Sequence, residues 1–305
     1  MKIRISIVLL GCFLSIQTQA ADNAQTCSTT DLSKSPGLEA PINRDGTGWC
    51  YAYSAADLVS FKMKQRVSAF DIAANFHEMI RTSIIKRFTH VKTQNIIDSG
   101  GNIDEALESV SGKAVCSEKE LPSDYNNNDL QKYLRKVMAL PGKQEDAASC
   151  AAISKAYPTI LSKDIKGILE AYGGDRRIIE LAKASCKHRI QVSDLKFHTE
   201  KIKNQDISIL DTQLDKGNIV SFEHDPGFFF LGPNYNPDKK IYDHQATIVG
   251  RRFKDGQCQY LVKGSSGRDK NYKYAAPYKD NNTGGYVWVD KDTIAKFTGS
   301  MTYVE

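Results

Sequence analysis

The sequence predicts an α+β protein with two lobes, a helical lobe followed by a β-rich lobe. Up to about residue 110, apolar residues recur at the spacing of amphipathic helices. From residue 217 onwards they form short runs rich in Val, Ile, Tyr and Phe, which is the pattern of strands. Between these parts, residues 126–205 show helical periods broken by Pro and Gly residues. Helices and strands segregated in this way predict two packed units with a cleft between them.

The chain opens with the pattern of a secretory signal peptide, residues 1–20. Lys2 and Arg4 precede an apolar run over residues 5–16, and small and polar residues follow it. The run is too short to span a bilayer. We therefore expect an exported protein, periplasmic or extracellular. A lipoprotein anchored through Cys12 is the alternative, because Cys12 ends a Leu-Leu-Gly-Cys run.

The composition is that of an ordinary globular protein, with 41% hydrophobic and 25% charged residues. The formal net charge of +5 falls to about +3 without Lys2 and Arg4, a balance that does not point to a nucleic-acid partner. No second segment is apolar enough to span a membrane, and the oligomeric state is left open. Cysteines of an exported protein are expected to pair where geometry allows. Six of them follow the predicted signal peptide: Cys27, Cys50, Cys116, Cys150, Cys186 and Cys258.

Residues 21–125 are expected to form a polar lead-in and then the helical lobe. Its predicted helices run from Cys50 to about Met63, from Ser68 to about Ile85, and from Asn102 to Val110. Asn102 has the residue type of an N-cap. His77 and Glu78 resemble the start of a zinc-protease motif, but Arg81 stands where the second histidine would be. We therefore expect no zinc site there.

Residues 206–305 are expected to form the β lobe. Its predicted strands are Asn218 to Glu223, Gln245 to Phe253, Gln257 to Lys263, Gly285 to Asp290 and Met301 to Val304. Asp255 and Gly256 predict a hairpin turn. The aromatic run from Phe228 to Tyr235 is interpreted as a loop. It either lines the cleft and favours apolar substrate side chains, or it packs in the core.

Cys50 is the first candidate for chemistry, because a loop with Gly46 and Gly48 leads it onto the first residues of a predicted helix. Unpaired N–H groups and the positive end of the dipole at a helix N-terminus favour the thiolate, which is the nucleophilic form of cysteine. The alternative is that Cys50 is a buried small residue or half of a disulfide.

His244 is the first candidate for a base among the six histidines. It opens an apolar strand that ends in Gly250, which would place its ring at a sheet edge that faces the other lobe. His224, beside Asp225, is the reserve candidate. A thiolate needs such an imidazole within hydrogen-bond reach to transfer acyl groups.

Several motifs in order resemble those of papain-like cysteine peptidases. The run from Asp45 to Ser54, DGTGWCYAYS, resembles their active-site segment, which opens the long helix of the first lobe. The run from Asp243 to Gly250, DHQATIVG, is similar to their histidine strand, and Tyr260 to Gly267, YLVKGSSG, to their Tyr-Leu-Val-Lys-Asn-Ser-Trp-Gly segment. Weaker similarities occur at Gly100-Gly101 and from Lys216 to Ser221. The chain is thus similar to a divergent, exported bacterial member of the papain-like cysteine peptidase family.

The resemblance implies a papain-like two-lobed fold, with an antiparallel, β-barrel-like C-terminal lobe and a helical insertion over residues 126–205. It also implies hydrolysis of peptide bonds in peptide or protein substrates. Cys50 would attack the carbonyl, His244 would act as base and then as acid, and water would release the acyl-enzyme. No metal or cofactor motif is present in the sequence, and this route requires neither.

Three positions depart from the family pattern. Gly264 stands where the family has the asparagine that orients the imidazole, which leaves Ser265 or Asp243 to do so. Arg44 stands at the position of the oxyanion glutamine, with Asn43 beside it. The family's shielding tryptophan is replaced as well, by the serine that follows Ser265. The second reading is therefore a catalytically impaired papain-like protein that binds a peptide or a partner, and other cysteine-based acyl transfer remains as a third.

Overall fold

The structure, a computed structural model, describes residues 27–38, 48–83, 100–124, 184, 186–232, 234–265, 274–276, 278 and 284–305. Six helices lie in these residues: α1 (Cys50–Met63), α2 (Ala69–Thr82), α3 (Ile103–Val110), α4 (Ser208–Asp215), α5 (Gly227–Leu231) and α6 (Lys291–Phe297). The nine strands in the same residues are β1 (Thr30–Asp31), β2 (Ala114–Cys116), β3 (Arg189–Gln191), β4 (Phe197–Lys201), β5 (Val220–His224), β6 (His244–Lys254), β7 (Gln257–Lys263), β8 (Tyr286–Asp290) and β9 (Thr298–Val304).

The three predicted helices of the N-terminal lobe are confirmed, and side chains cap two of them. The Ser68 hydroxyl accepts a hydrogen bond from the Asp71 N–H and starts α2. Asn102 accepts from the Asp104 N–H and starts α3 as expected. α2 ends at Thr82, because Ser83 has an extended backbone. α1 has no such cap, and its first eleven residues are all buried, so tertiary packing holds this helix in place.

The predicted strands are confirmed in an antiparallel sheet with the strand order β4-β9-β5-β6-β7-β8, and β1 pairs with β6. The predicted hairpin joins β6 to β7, where Asp255 and Gly256 have φ of 53° and 78°. Left-handed backbone at both turn residues matches the right-handed twist of the strands. The interpretation of Phe228 to Tyr235 as a loop was wrong at its start. Pro226 precedes the short helix α5 there, and Phe228 and Phe229 are buried.

The end of the segment that was predicted as an insertion, residues 126–205, contains two strands. β3 pairs with β2 of the helical lobe, and β4 pairs with β9 at an edge of the large sheet. This part of the chain therefore connects the two lobes through backbone hydrogen bonds. Residues 126–183, where helices were predicted, lie outside the described residues, and the domain boundaries remain predictions.

β6 lies between two hydrophobic clusters and α1 packs on it. Ile248 of β6 belongs to the cluster inside the β lobe, whereas Val249 belongs to the cluster around α1 and α2. Successive residues of a strand point to opposite faces of a sheet. Both faces of β6 are therefore covered, and the N-terminus of α1 meets the start of β6 at one end of the sheet.

Two disulfides join distant parts of the chain, Cys27 to Cys258 and Cys116 to Cys186. Cys50 is the free cysteine among the described residues, and Cys150 lies outside them. Such disulfides are typical of an oxidising compartment. None of the described helices combines the length and the apolar character that crossing a bilayer requires. Residues 1–26, with the predicted signal peptide and Cys12, lie outside the description.

Candidate active site

Cys50 is the first residue of α1, as the sequence predicted. Trp49, the residue before it, is fully buried and packs edge-on against Phe70 with ring centroids 5.1 Å apart. Cys50 itself is 8% exposed. Burial, and then the electrostatic interaction with Cys50, raise the pKa of Tyr51 well above its usual value. The Tyr51 hydroxyl lies 3.4 Å from His77 Nε2, so His77 serves the packing of α2 against α1.

The start of β6 approaches the thiol. The Cys50 Sγ atom lies 4.0 Å from the backbone carbonyl oxygen of Asp243, the residue before His244. His244 is half-buried, and the Asp243 residue is exposed. The fold therefore brings together the helix and the strand that carry the two sequence candidates, Cys50 and His244.

His224 lies beside His244 in the sheet. The two residues are paired in the register of β5 and β6, and their ring centroids are 5.1 Å apart. His224 is fully buried, and neither of its ring nitrogens has a hydrogen-bond partner of good geometry among the described residues. Burial lowers the pKa of His224 to about 4, although the backbone and the charge of Asp225 act in the opposite direction. The ring is therefore neutral at neutral pH.

Gly264, at the orienting position, follows the end of β7. Its φ is not positive. A Cβ atom added to it would lie 3.6 Å from the Tyr274 hydroxyl oxygen and 3.9 Å from the Gly285 carbonyl oxygen, which are ordinary contact distances. The Gly264 N–H donates to the same Gly285 carbonyl at 3.1 Å. Neither backbone conformation nor crowding at Cβ therefore requires glycine at this position.

The other predicted site residues fall in different surroundings. Ser265 is 7% exposed, and its hydroxyl has no hydrogen-bond partner among the described residues. The exposed Asp243 contributes its backbone carbonyl to the Cys50 contact. Asn43 and Arg44, the oxyanion candidates, lie outside the described residues, as does the serine at the tryptophan position.

A cavity of about 10 Å³ lies beside His244, which is room for about one water molecule. Most of the residues that line it are apolar, and His244 and Tyr274 are the two with polar side chains. The residues that line it are Pro226, Phe229, His244, Ala246, Val262, Gly264, Tyr274 and Val287. Tyr274 was missed in the sequence analysis, because its run has no motif and only the fold brings it to the cavity.

A buried ion cluster behind the site was also missed. Asp57 of α1 contacts both Lys263 of β7 and Arg66, and all three side chains are buried. Although burial of Asp57 acts to raise its pKa, the charges of Lys263 and Arg66 lower it overall. Burial lowers the pKa of Lys263 to about 8. The cluster joins the helix of Cys50 to the strand that precedes Gly264.

Among the described residues, Cys116, Glu120 and Cys186 are the group whose ligand atoms come within 4.8 Å of one another, as a metal ion would need. Cys116 and Cys186 are bonded to each other. Their sulfurs are therefore not thiolate ligands, and Glu120 instead accepts hydrogen bonds from the His188 and Lys187 backbone N–H groups. This cluster is structural.

Proteins of known structure with a similar fold include a digestive procathepsin L 3 of the Tenebrio molitor larval midgut. It superposes with a TM-score of 0.50 and 12% identity, and the match covers 92% of this chain and 70% of that chain. A structure that addresses the mite allergens Blo t 1 and Der p 1 matches with a TM-score of 0.50 and 13% identity, over 95% and 73% of the two chains. No protein-family model matches the sequence, and no curated protein matches it. The fold is α+β and papain-like, as predicted.

Proposed function

We propose that this chain is an exported papain-like cysteine peptidase that hydrolyses peptide bonds in peptide or protein substrates. One observation carries the proposal. The thiol of Cys50, which is not part of a disulfide and lies at the start of α1, is 4.0 Å from the backbone carbonyl that directly precedes His244. A cysteine at a helix N-terminus with an imidazole nearby has the parts of a thiolate–imidazolium pair.

In the proposed reaction the Cys50 thiolate attacks the scissile carbonyl carbon and forms a tetrahedral oxyanion. The His244 imidazolium gives its proton to the leaving amine as the C–N bond breaks, which leaves an acyl-enzyme. Neutral His244 then takes a proton from water, and the hydroxide so formed displaces the thiolate and releases the carboxylic acid. The Cys50 backbone N–H and the side chain of Asn43 or Arg44 are the proposed oxyanion donors.

The surroundings of His244 support a charged imidazolium. His224 is neutral at neutral pH because it is fully buried, so it adds no positive charge beside His244. The α1 dipole stabilises the thiolate partner. The two disulfides agree with export to an oxidising compartment.

Gly264 favours a second candidate function, a catalytically impaired protein that binds a peptide or partner in the same cleft. Glycine has no side chain to hold the imidazole, and loss of an orienting group reduces catalysis strongly in comparable triads. Binding would then retain the cleft without turnover.

The test measures the rate at which iodoacetamide alkylates Cys50 as a function of pH. Cys150 is replaced by serine so that labelling reports on Cys50. For the peptidase, we expect fast labelling that extends well below pH 7 and is lost in His244→Ala. We also expect cleavage of unfolded casein that disappears in Cys50→Ser.

A single titration near the free-thiol pKa of about 8.5, unchanged by His244→Ala and without casein cleavage, would contradict the peptidase. It would favour the binding protein, which should then retain peptides in equilibrium dialysis. The His198→Ala variant is the matched control, because His198 is exposed on β4 and pairs there with Tyr303 of β9.

A further inference from the structure

The space beside Gly264 is occupied by a hydroxyl group. The Tyr274 oxygen lies 3.6 Å from the point where a Cβ atom on Gly264 would stand. It therefore reaches the region that an asparagine carboxamide at position 264 would occupy. Tyr274, Gly264 and His244 line the same cavity of about 10 Å³, which has room for about one water molecule.

The position of Tyr274 is set by α5. The N–H of Ala275, the next residue, donates to the Phe229 carbonyl at 2.8 Å. The Tyr274 ring packs edge-on against the Phe229 ring at 5.8 Å, and Phe229 in turn packs against His224 at 5.4 Å. These aromatic rings exclude bulk water from this side of His244. An imidazole hydrogen bond is stronger in such surroundings than in water.

We infer that the Tyr274 hydroxyl orients the His244 ring, directly or through one water molecule, and so replaces the asparagine that Gly264 lacks. The inference rests on the proposed function, because it names a positioning residue for the same Cys50 and His244 pair. A phenol oxygen accepts a hydrogen bond from an imidazole N–H as a carboxamide oxygen does. The bond fixes which ring nitrogen faces the thiol.

Besides Tyr274, three titratable groups belong to described residues that adjoin His244 in the sheet, in the sequence or at the start of α1. They are Cys50 from α1, the buried His224 from β5, and Asp243 beside it in sequence. The first is the partner of the imidazolium and the second is neutral. Removal of the Tyr274 hydroxyl changes none of these charges, so a change in the pH profile would report on the orientation of His244.

The experiment compares Tyr274→Phe, Gly264→Asn and the double variant in the Cys150→Ser background. Each is assayed for the pH dependence of Cys50 alkylation. We expect Tyr274→Phe to slow labelling at pH 5 by about tenfold, the value of one hydrogen bond to a charged group. The double variant should regain the low-pH plateau, because a Cβ atom at position 264 meets only ordinary contact distances and the asparagine carboxamide supplies the missing acceptor.

Tyr278→Phe is the matched control. Tyr278 packs against the same Phe229 ring at 5.8 Å but does not line the cavity with His244. In the Tyr278→Phe variant, Cys50 should be alkylated at the same rate as in the unmodified protein. An equal loss in Tyr278→Phe and Tyr274→Phe would mean that packing is responsible and would overturn the inference.

The failure of the inference is distinct from that of the proposed function. A His244-dependent plateau that persists in Tyr274→Phe would overturn the role of Tyr274 alone. A plateau that is absent from the unmodified protein would overturn the proposed function, and the role of Tyr274 with it.

Discussion

At the scale of single residues, burial lowers the pKa of His224. It is surrounded by aromatic rings, stacked on Phe222 at 4.5 Å and in contact with Phe228 and Phe229. A charged imidazolium in such a place would lose its hydration, and Asp225 offsets only part of that loss. This is why the pKa of His224 falls to about 4. The neutral ring then packs as one more aromatic residue beside His244.

The first prediction at this scale concerns stability against pH. Between pH 4 and 6.5 the unfolded chain binds a proton at His224 that the folded chain does not bind. Stability should therefore rise across this window, by about 3 kcal/mol for this residue. His224→Phe should remove that part of the slope. Urea unfolding midpoints measured from pH 4 to 7 check it.

The control is His198→Phe, a change at an exposed site on β4. The His198→Phe variant should show the same rise of stability with pH between pH 4 and 6.5 as the unmodified protein. An identical slope in His224→Phe and in the unmodified protein would contradict this account of the buried ring.

At the scale of elements, the Asp57 cluster connects α1 to β7. Asp57 lies about two helical turns after Cys50, and Lys263 directly precedes Gly264. A buried pair of this kind is costly to desolvate but much more costly to break, because one charge then stays buried alone. The cluster therefore fixes the spacing between the element with the thiol and the element with the orienting position.

Asp57→Asn should be destabilised by about 3–5 kcal/mol, since it leaves Lys263 and Arg66 without their shared carboxylate. Lys263→Met should lose less stability than Asp57→Asn, because Arg66 still neutralises Asp57. Chemical denaturation at pH 7 measures both. The Asp57 contribution should be lost only as the pH falls below its ordinary value of 3.8, which is beneath the window of His224.

Lys254→Met is the comparison for this cluster. Lys254 and Asp255 are 4.0 Å apart and their side chains are 50% and 79% exposed. Loss of this pair should cost less than about 1 kcal/mol. Equal effects in Lys254→Met and Asp57→Asn would show that the cluster does not hold the two elements together.

At the scale of the whole molecule, two disulfides tie the lobes and the lead-in together. Cys27 precedes β1 and is bonded to Cys258 of β7 across 231 residues. Cys116 of β2 is bonded to Cys186 across 70 residues. The first crosslink therefore closes a loop that contains most of the chain, including both candidate catalytic residues.

A longer loop restricts the unfolded chain more. The Cys27→Ser/Cys258→Ser variant should therefore lose about 1 kcal/mol more stability than Cys116→Ser/Cys186→Ser. Each loss should fall within about 2–5 kcal/mol. Urea midpoints of the two double variants, measured without reductant, check the order. The reverse order would mean that native-state contacts of Cys116 and Cys186 outweigh the entropy of the unfolded chain.

The sequence by itself determined the local features of this protein. The bounds of α1, the cap of α3, and the turn at Asp255 and Gly256 were predicted because they depend on neighbours a few residues away. Helical and strand periods also predicted the α+β class. Local patterns also identified Cys50 as the start of a helix and His244 as the start of a strand. Their catalytic roles remain predictions.

Only the tertiary structure decided which distant residues share a space. It brought Tyr274 to the cavity of Gly264, placed His224 beside His244, and joined Lys263 to Asp57, which are 206 residues apart. Contacts across such separations depend on how whole elements pack, and no local pattern reports them. The shifted pKa values of His224 and Lys263 follow from the same cause, because desolvation is a property of the folded core rather than of the chain.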